Sequence, residues 1–103
     1  MASGDRRVIW SFQARRQLGE ALEYIARDSQ QGAQQVLQEA LSAAASLATL
    51  TERGRVVPEV AHPAIREIFV FRYRLIYEIG EGEVHILAFL HGAREFARWR
   101  DGF

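Results

Sequence analysis

Cysteine and lysine are both absent from the sequence, and each absence narrows the sites that the chain can form. Without cysteine there is neither a disulfide framework nor a zinc site built from thiolates. Without lysine, all 13 basic residues are arginine, and they balance 13 acidic residues to a net charge of zero. We expect neither a metal site nor a cofactor.

Long apolar runs are also missing. No stretch approaches the ~20 residues that a membrane span needs, and the N-terminus MASGDRRVIW lacks the apolar core of a signal peptide. We therefore expect a cytoplasmic protein without a membrane partner. The 103 residues fit one domain, 1–103, and a composition that is 49% hydrophobic and 25% charged is ordinary for a globular chain.

The arginines are unevenly distributed. Five of them fall within residues 53–74, whereas residues 28–52 contain no basic side chain. Arginine binds both phosphate and carboxylate through paired hydrogen bonds, so this basic segment is a candidate partner surface.

Two helices are predicted, near residues 12–27 and 31–50. Ser11 is a favourable N-cap, and the apolar residues that follow recur on one helix face. The second segment is rich in alanine and has a continuous apolar stripe. Few residues separate the two segments, which favours an antiparallel helix pair.

Four runs rich in β-formers predict strands at Arg7–Trp10, Ile65–Val70, Tyr73–Ile79 and Glu83–Leu90. The segment ERGRVVPEVAHP has two prolines and no periodicity, which predicts a linker. The resulting order β-α-α-β-β-β predicts an α+β fold, in which two antiparallel helices pack on one face of an antiparallel sheet.

A hairpin turn at Glu81–Gly82 would fix the register of the last two strands. It would pair Ile79 with Val84, Tyr77 with Ile86 and Leu75 with Ala88, and it would bury these six residues under the helices. On the other face it would pair Glu78 with His85, Ile76 with Leu87, Arg74 with Phe89, and Arg72 with His91. That face has an apolar centre among charges, which favours a partner surface over a merely solvated one.

Four segments, in this order, resemble the ParE/RelE superfamily of toxins from bacterial type II toxin–antitoxin modules: SFQARRQLGEALEYIA, GRVVPE, IREIFVFRYRLIYEI and VHILAFLHGAR. The resemblance implies the same β-α-α-β-β-β fold. GRVVPE and LHGAR are more similar to the ParE branch, which is associated with inhibition of DNA gyrase. The RelE branch is associated with cleavage of messenger RNA on the ribosome.

As a ParE-like toxin the chain would be a non-catalytic inhibitor, neutralised by a cognate antitoxin in a hetero-oligomer. The arginine surplus of the strand region suggests an acidic, partly disordered antitoxin segment. The expected partner-binding residues are Arg66, Arg72, Arg74, Phe89, His91 and Arg94. The motif also includes Tyr77, which the register assigns to the core.

The alternative is a RelE-like endoribonuclease that cleaves messenger RNA on the ribosome. Such chemistry needs an acid, a base and cations around one phosphate. The candidate catalytic residues are Glu59, Arg66, His91 and Arg94. The lack of lysine, and of any tyrosine after Tyr77, counts against this alternative, so the inhibitor is the favoured interpretation.

Overall fold

The computed structural model describes residues 5–102. The elements in chain order are β1 (Arg7–Trp10), α1 (Phe12–Ala26), α2 (Gln30–Ser46), β2 (Arg55–Val56), β3 (Ile65–Val70), β4 (Tyr73–Ile79), β5 (Glu83–His91) and α3 (Gly92–Asp101). The predicted order β-α-α-β-β-β is confirmed, with two additions. The short strand β2 lies inside the expected linker, and the helix α3 follows the last strand.

Serine side chains begin both predicted helices. Ser11 Oγ accepts a hydrogen bond from the backbone N–H of Ala14 at 3.0 Å, and Ser29 Oγ accepts one from Gly32 at 2.8 Å. Each serine therefore satisfies one N–H group that the first turn leaves without a helical partner. Helix α2 ends at Ser46, earlier than predicted, because the chain then tightens into bonds such as Leu47 N–H to Ala44 O.

The five strands form one sheet in the order β1-β5-β4-β3-β2. Neighbouring strands are antiparallel except for β1, which runs parallel to β5 with Arg7 opposite Glu83 and Trp10 opposite Ile86. The expectation of a wholly antiparallel sheet is thus wrong at this edge. A parallel neighbour is feasible because both helices and the other strands lie between β1 and β5 in the chain, which gives a long crossover connection.

A β-bulge divides the register of β4 and β5. From the turn outward, the predicted pairs Ile79–Val84, Glu78–His85 and Tyr77–Ile86 are confirmed. Leu87 is then an extra residue on β5, so that Ala88 pairs with Ile76. The four predicted pairs beyond this point are wrong by one residue: the structure pairs Ile76 with Ala88, Leu75 with Phe89, Arg74 with Leu90, and Tyr73 with His91.

The sheet has a core on each face, and the bulge decides which β5 residues join each core, because a shift of one residue moves later side chains to the opposite face. Under α1 and α2 lie the predicted Leu75, Tyr77, Val84 and Ile86, with Ile79 partly buried beside them. Ala88 is buried as predicted, but on the opposite face, in a second core with Val57, Ile65, Ile76, Leu90 and Phe96.

Helix α3 covers part of the face that the sequence left uncovered. Gly92 has φ +85°, a left-handed conformation that glycine adopts without strain. Phe96 is then buried against the second core, and Trp99 packs beside it one turn later. The sheet therefore carries helices on both faces. Within residues 5–102 no helix is long and apolar enough to cross a membrane.

Candidate partner-binding site

A cleft of about 440 Å³ opens where the end of β5 meets α1 and α3. Its lining comes from α1, β4, β5 and α3: Gln13, Arg16, Gln17, Glu20, Ala21, Tyr24, Tyr73, Phe89, Leu90, His91, Glu95, Arg98 and Trp99. Two of the predicted site residues, Phe89 and His91, line the cleft. The last residues of β5 therefore end inside it.

Three aromatic rings in contact line the cleft, with Tyr73 and Phe89 on its floor. The rings of Tyr73 and Phe89 lie parallel, with centroids 4.8 Å apart, and the His91 ring is tilted against Tyr73 at 4.9 Å. The bulge at Leu87 is the cause, because it turns Phe89 and His91 to the same face as Tyr73. Phe89 is only 1% exposed, so its predicted position on an uncovered face is wrong. His91 is exposed at the mouth.

Side chains replace the missing neighbour strand along this part of β5. Strand β1 ends at Trp10, opposite Ile86. Beyond that point the backbone N–H of Phe89 donates to Gln17 Oε1, and that of His91 donates to Glu95 Oε1, both at 2.8 Å. These bonds fix α1 and α3 to the strand end and thereby set the width of the cleft.

Charged side chains of both signs line the cleft: Arg16 pairs with Glu20, and Arg98 and Glu95 come from α3. Burial raises the pKa of Tyr73 above its usual value, and the charges of Glu95 and Tyr24 raise it further, so its phenol remains protonated at neutral pH. Arg98 lines the cleft, and Arg94 is exposed on the first turn of α3. Neither arginine forms an ion pair within the described part of the chain.

A second charged cluster lies on the face that α3 covers. Arg74 contacts Glu67 Oε1 at 3.1 Å and Glu59 Oε2 at 3.3 Å, and its guanidinium lies 4.1 Å from the centroid of the Phe96 ring. Arg55 closes the cluster with a 2.7 Å bond to Glu67 Oε2. Arg74 thus supports α3, and only 17% of its side chain is exposed.

Glu67 is the residue of this cluster that sequence reasoning missed. Its side chain is fully buried and is compensated by two arginines. A signal was present, because an acidic residue alternates with Ile65 and Phe69 on one face of β3. In a hairpin with β4, the diagonal neighbour of Glu67 on that face is Arg74.

Glu59 is held as a carboxylate. Burial is the largest single influence on its pKa and raises it, but its own backbone hydrogen bond and the charges of Arg74 and Arg55 together outweigh burial, and the net pKa lies below the ordinary value. A carboxylate with a lowered pKa is a weak base.

Arg66 is bound by backbone carbonyl groups at the edge of the sheet. Its Nε donates to Pro63 O at 3.1 Å and its Nη1 to Gly54 O at 3.0 Å. Gly54 also donates its N–H to the hydroxyl of Tyr77 at 2.9 Å, and that hydroxyl donates to Thr51 O at 2.8 Å. Tyr77 is 0% exposed, which confirms its assignment to the core.

The four candidate catalytic residues are dispersed. Arg66 lies opposite Tyr77, two strands and four residue positions from His91, a separation of about 16 Å at ordinary strand spacings. Glu59 contacts Arg74 on the face under α3, whereas His91 stacks on Tyr73 on the other face. Only His91 and Arg94 share a location, the junction of β5 and α3.

The remaining predicted residue, Arg72, lies in the β3–β4 turn and is exposed. In the described residues no group of three or more histidine, aspartate and glutamate side chains is placed to hold a metal ion.

Comparison with known proteins finds a family model, a named relative and solved structures to which this chain is similar. The family model described as ParE toxin of type II toxin-antitoxin system, parDE, matches residues 8–96. Toxin RelE2 of Caulobacter vibrioides is 35% identical over 88 residues, which are 84% of this chain and 96% of that protein. The solved structure titled Chromosomal ParDE TA system from P. aeruginosa superposes with a TM-score of 0.71 over 88% of this chain and 100% of that one. At 16% identity, this last match concerns the fold alone.

Proposed function

Because the chain belongs to the family of ParE toxins of type II toxin–antitoxin systems, we propose that it is a non-catalytic inhibitor of DNA gyrase. As the toxin component of such a module it has a cognate antitoxin, which neutralises it. Gyrase is proposed as the target because the sequence is more similar to the ParE branch, and because the geometry below disfavours the nuclease alternative.

The dispersal of the nuclease candidates is the observation that carries the proposal. Cleavage of RNA through its 2′-hydroxyl needs an acid, a base and a cation within hydrogen-bond reach of the same phosphate. Here Arg66 is about 16 Å from His91 by strand spacing, and its guanidinium already serves two carbonyl groups. Glu59 is engaged by Arg74 on the opposite face. An inhibitor that acts by binding has no need for these groups to meet.

The cleft supports a role in binding. Its floor is aromatic, and Arg98 provides a positive charge without a partner inside the described structure. An acidic antitoxin segment with apolar side chains would match both features. The proposal is therefore that the antitoxin occupies this cleft.

A ribonuclease remains the second candidate, and one observation favours it. His91, Tyr73 and Arg98 line the same cleft, so an acid or base, a phenol and a cation are available within it. The relative in Caulobacter vibrioides is also named Toxin RelE2.

Two assays on the purified toxin separate the candidates. The gyrase inhibitor should block DNA supercoiling by gyrase, and it should leave translated messenger RNA intact in primer extension. His91→Ala should then weaken inhibition only moderately, because binding energy is spread over several residues. If His91 acts as an acid or base of a nuclease, the same change should lower the cleavage rate by ~10²–10⁴-fold.

His62→Ala is the matched control, because His62 is exposed in the β2–β3 loop, away from the cleft. Growth arrest by the toxin should be relieved by co-expression of the antitoxin. The gyrase-inhibitor proposal would be refuted by two results together. Ribosome-bound messenger RNA would show discrete cuts that disappear with His91→Ala, and supercoiling by gyrase would be normal in the presence of the toxin.

A further inference from the structure

The turn between β3 and β4 contains a phenylalanine in a conformation that phenylalanine disfavours. Phe71 has φ +54°, and 60% of the residue is exposed. Positive φ is uncommon for residues other than glycine and asparagine, and in a bulky residue it marks a strained turn. No burial of the ring offsets the strain, so the fold alone does not account for phenylalanine at this position.

A second exposed ring lies beside the turn. Phe69 is 55% exposed, and the guanidinium groups of Arg55 and Arg74 lie 5.3 and 5.9 Å from its centroid. Both arginines are themselves fixed by Glu67. The ring is therefore supported by bound cations, although it is not buried, and it is preorganised for contact with another molecule.

The charge of the turn selects the kind of partner. Arg55 and Arg74 are compensated by carboxylates, whereas Arg72 is exposed and has no ion pair among residues 5–102. One free cation is too few for nucleic acid, where affinity depends on contacts to several phosphates. Two aromatic rings with one free arginine instead match an apolar protein pocket that has an acidic rim.

We propose that the hairpin tip, defined as Phe69, Phe71 and Arg72, enters an apolar pocket with an acidic rim on the protein that the toxin inhibits. The proposal rests on the proposed function, in which the toxin acts by binding. Phe71 is the anchor, and Arg72 pairs with the rim.

Phe71→Asn tests the anchor without damage to the turn, because asparagine tolerates positive φ. The midpoint of urea denaturation should be unchanged or higher than in the wild type. Growth arrest on induction should be lost, and affinity for gyrase should fall at least ~30-fold, as expected for a buried aromatic anchor. Affinity for the antitoxin should stay within about threefold of the wild type.

Two further variants complete the set. Phe12→Asn is the matched control, since Phe12 is 74% exposed at the start of α1, and it should retain toxicity and affinity. Phe71→Tyr keeps the ring and should retain most of the activity.

Growth arrest reports whether the hairpin tip is needed for toxicity, whatever the target is. If Phe71→Asn arrests growth like the wild type, the tip proposal is wrong whatever the target. If it loses antitoxin affinity but not toxicity, the tip belongs to the antitoxin interface, and the proposal is also wrong. If the wild type fails to inhibit gyrase while Phe71→Asn alone abolishes growth arrest, gyrase is the wrong target and the tip assignment stands.

Discussion

Replacement of Tyr77 by phenylalanine removes one hydroxyl from the centre of the fold. That hydroxyl donates to Thr51 O at 2.8 Å and accepts from the N–H of Gly54 at 2.9 Å. Both groups belong to the segment that leads from α2 into β2. The ring itself stays in place, because phenylalanine fills nearly the same volume. The change therefore isolates two hydrogen bonds between the core of β4 and the start of the GRVVPE segment.

The size of the effect follows from what each partner loses. Gly54 is buried, so its N–H would have no access to water, and an unsatisfied buried donor costs about 1–3 kcal/mol. Thr51 is only partly buried, and the loss of its bond costs about 0.5–1 kcal/mol. The free energy of unfolding should fall by roughly 1.5–4 kcal/mol in total. In a domain of this size that lowers the melting temperature by about 6–30 °C.

Urea denaturation followed by circular dichroism measures this loss, and the midpoint should fall by roughly 1–2 M at an unchanged slope. Tyr24→Phe is the control, because Tyr24 is 65% exposed, and its free energy of unfolding should stay within about 0.5 kcal/mol of the wild type. A Tyr77→Phe protein as stable as the Tyr24→Phe control would refute the reasoning.

Gly54→Ala provides an independent check on the same junction. An added Cβ would lie 2.5 Å from Glu67 O and 2.8 Å from the Tyr77 hydroxyl, so the backbone would have to move. This variant should be at least as unstable as Tyr77→Phe.

Two further predictions concern charge. Arg74→Met should lower the free energy of unfolding by about 1–3 kcal/mol, since Oε1 of the buried Glu67 loses its cation while Arg55 still binds Oε2. Arg74→Met combined with Glu67→Met should recover much of that loss. A double variant no more stable than the single one, in urea titration, would contradict this account. The free energy of unfolding should also decline at alkaline pH, because burial raises the pKa of Tyr77 in the folded protein. The contribution of this raised pKa to stability is complete below the pKa of tyrosine in the unfolded chain, ~10, and is lost as the pH rises through the pKa in the folded protein. Tyr77→Phe should flatten this part of the stability profile, whereas an unchanged alkaline limb would assign the effect to Tyr73, whose pKa burial also raises.

The helices and the central strands could be predicted because local signals and burial agree there. Ser11 caps α1 as expected, and the turn near Gly82, at φ +71°, fixes the first pairs of β4 with β5. The bulge could not be predicted, because Leu87 lies within a continuous apolar run and no glycine marks the irregularity. The bulge decides which sheet face each later side chain of β5 occupies. The wrong position predicted for Phe89 therefore follows from the missed bulge alone.

Helix α3 was missed for a different reason. Only two large apolar residues, Phe96 and Trp99, face the sheet, and three arginines lie between or beside them. In sequence this segment is too polar to predict a packed helix, and its docking depends on Arg74, a residue on a distant strand. Of the candidate site, the sequence placed His91 at the end of the last strand, as the structure does, but it put His91 on the wrong face and did not foresee that Arg94 belongs to a helix. The ion pairs of Arg74 and Glu67 depend on long-range pairing that residue types alone do not determine.

The side chains that bind the backbone of β5 beyond Trp10 have a consequence for assembly. A strand end without a neighbour ordinarily exposes N–H and C=O groups on which another chain can add. Here the Ser11 hydroxyl donates to the C=O of Leu87. Gln17 accepts from the N–H of Phe89, and Glu95 accepts from the N–H of His91. A foreign strand would have to displace Gln17 and Glu95 before it could accept hydrogen bonds from the N–H groups of Phe89 and His91. This stretch of the sheet is thereby guarded against edge-to-edge aggregation, although no strand covers it.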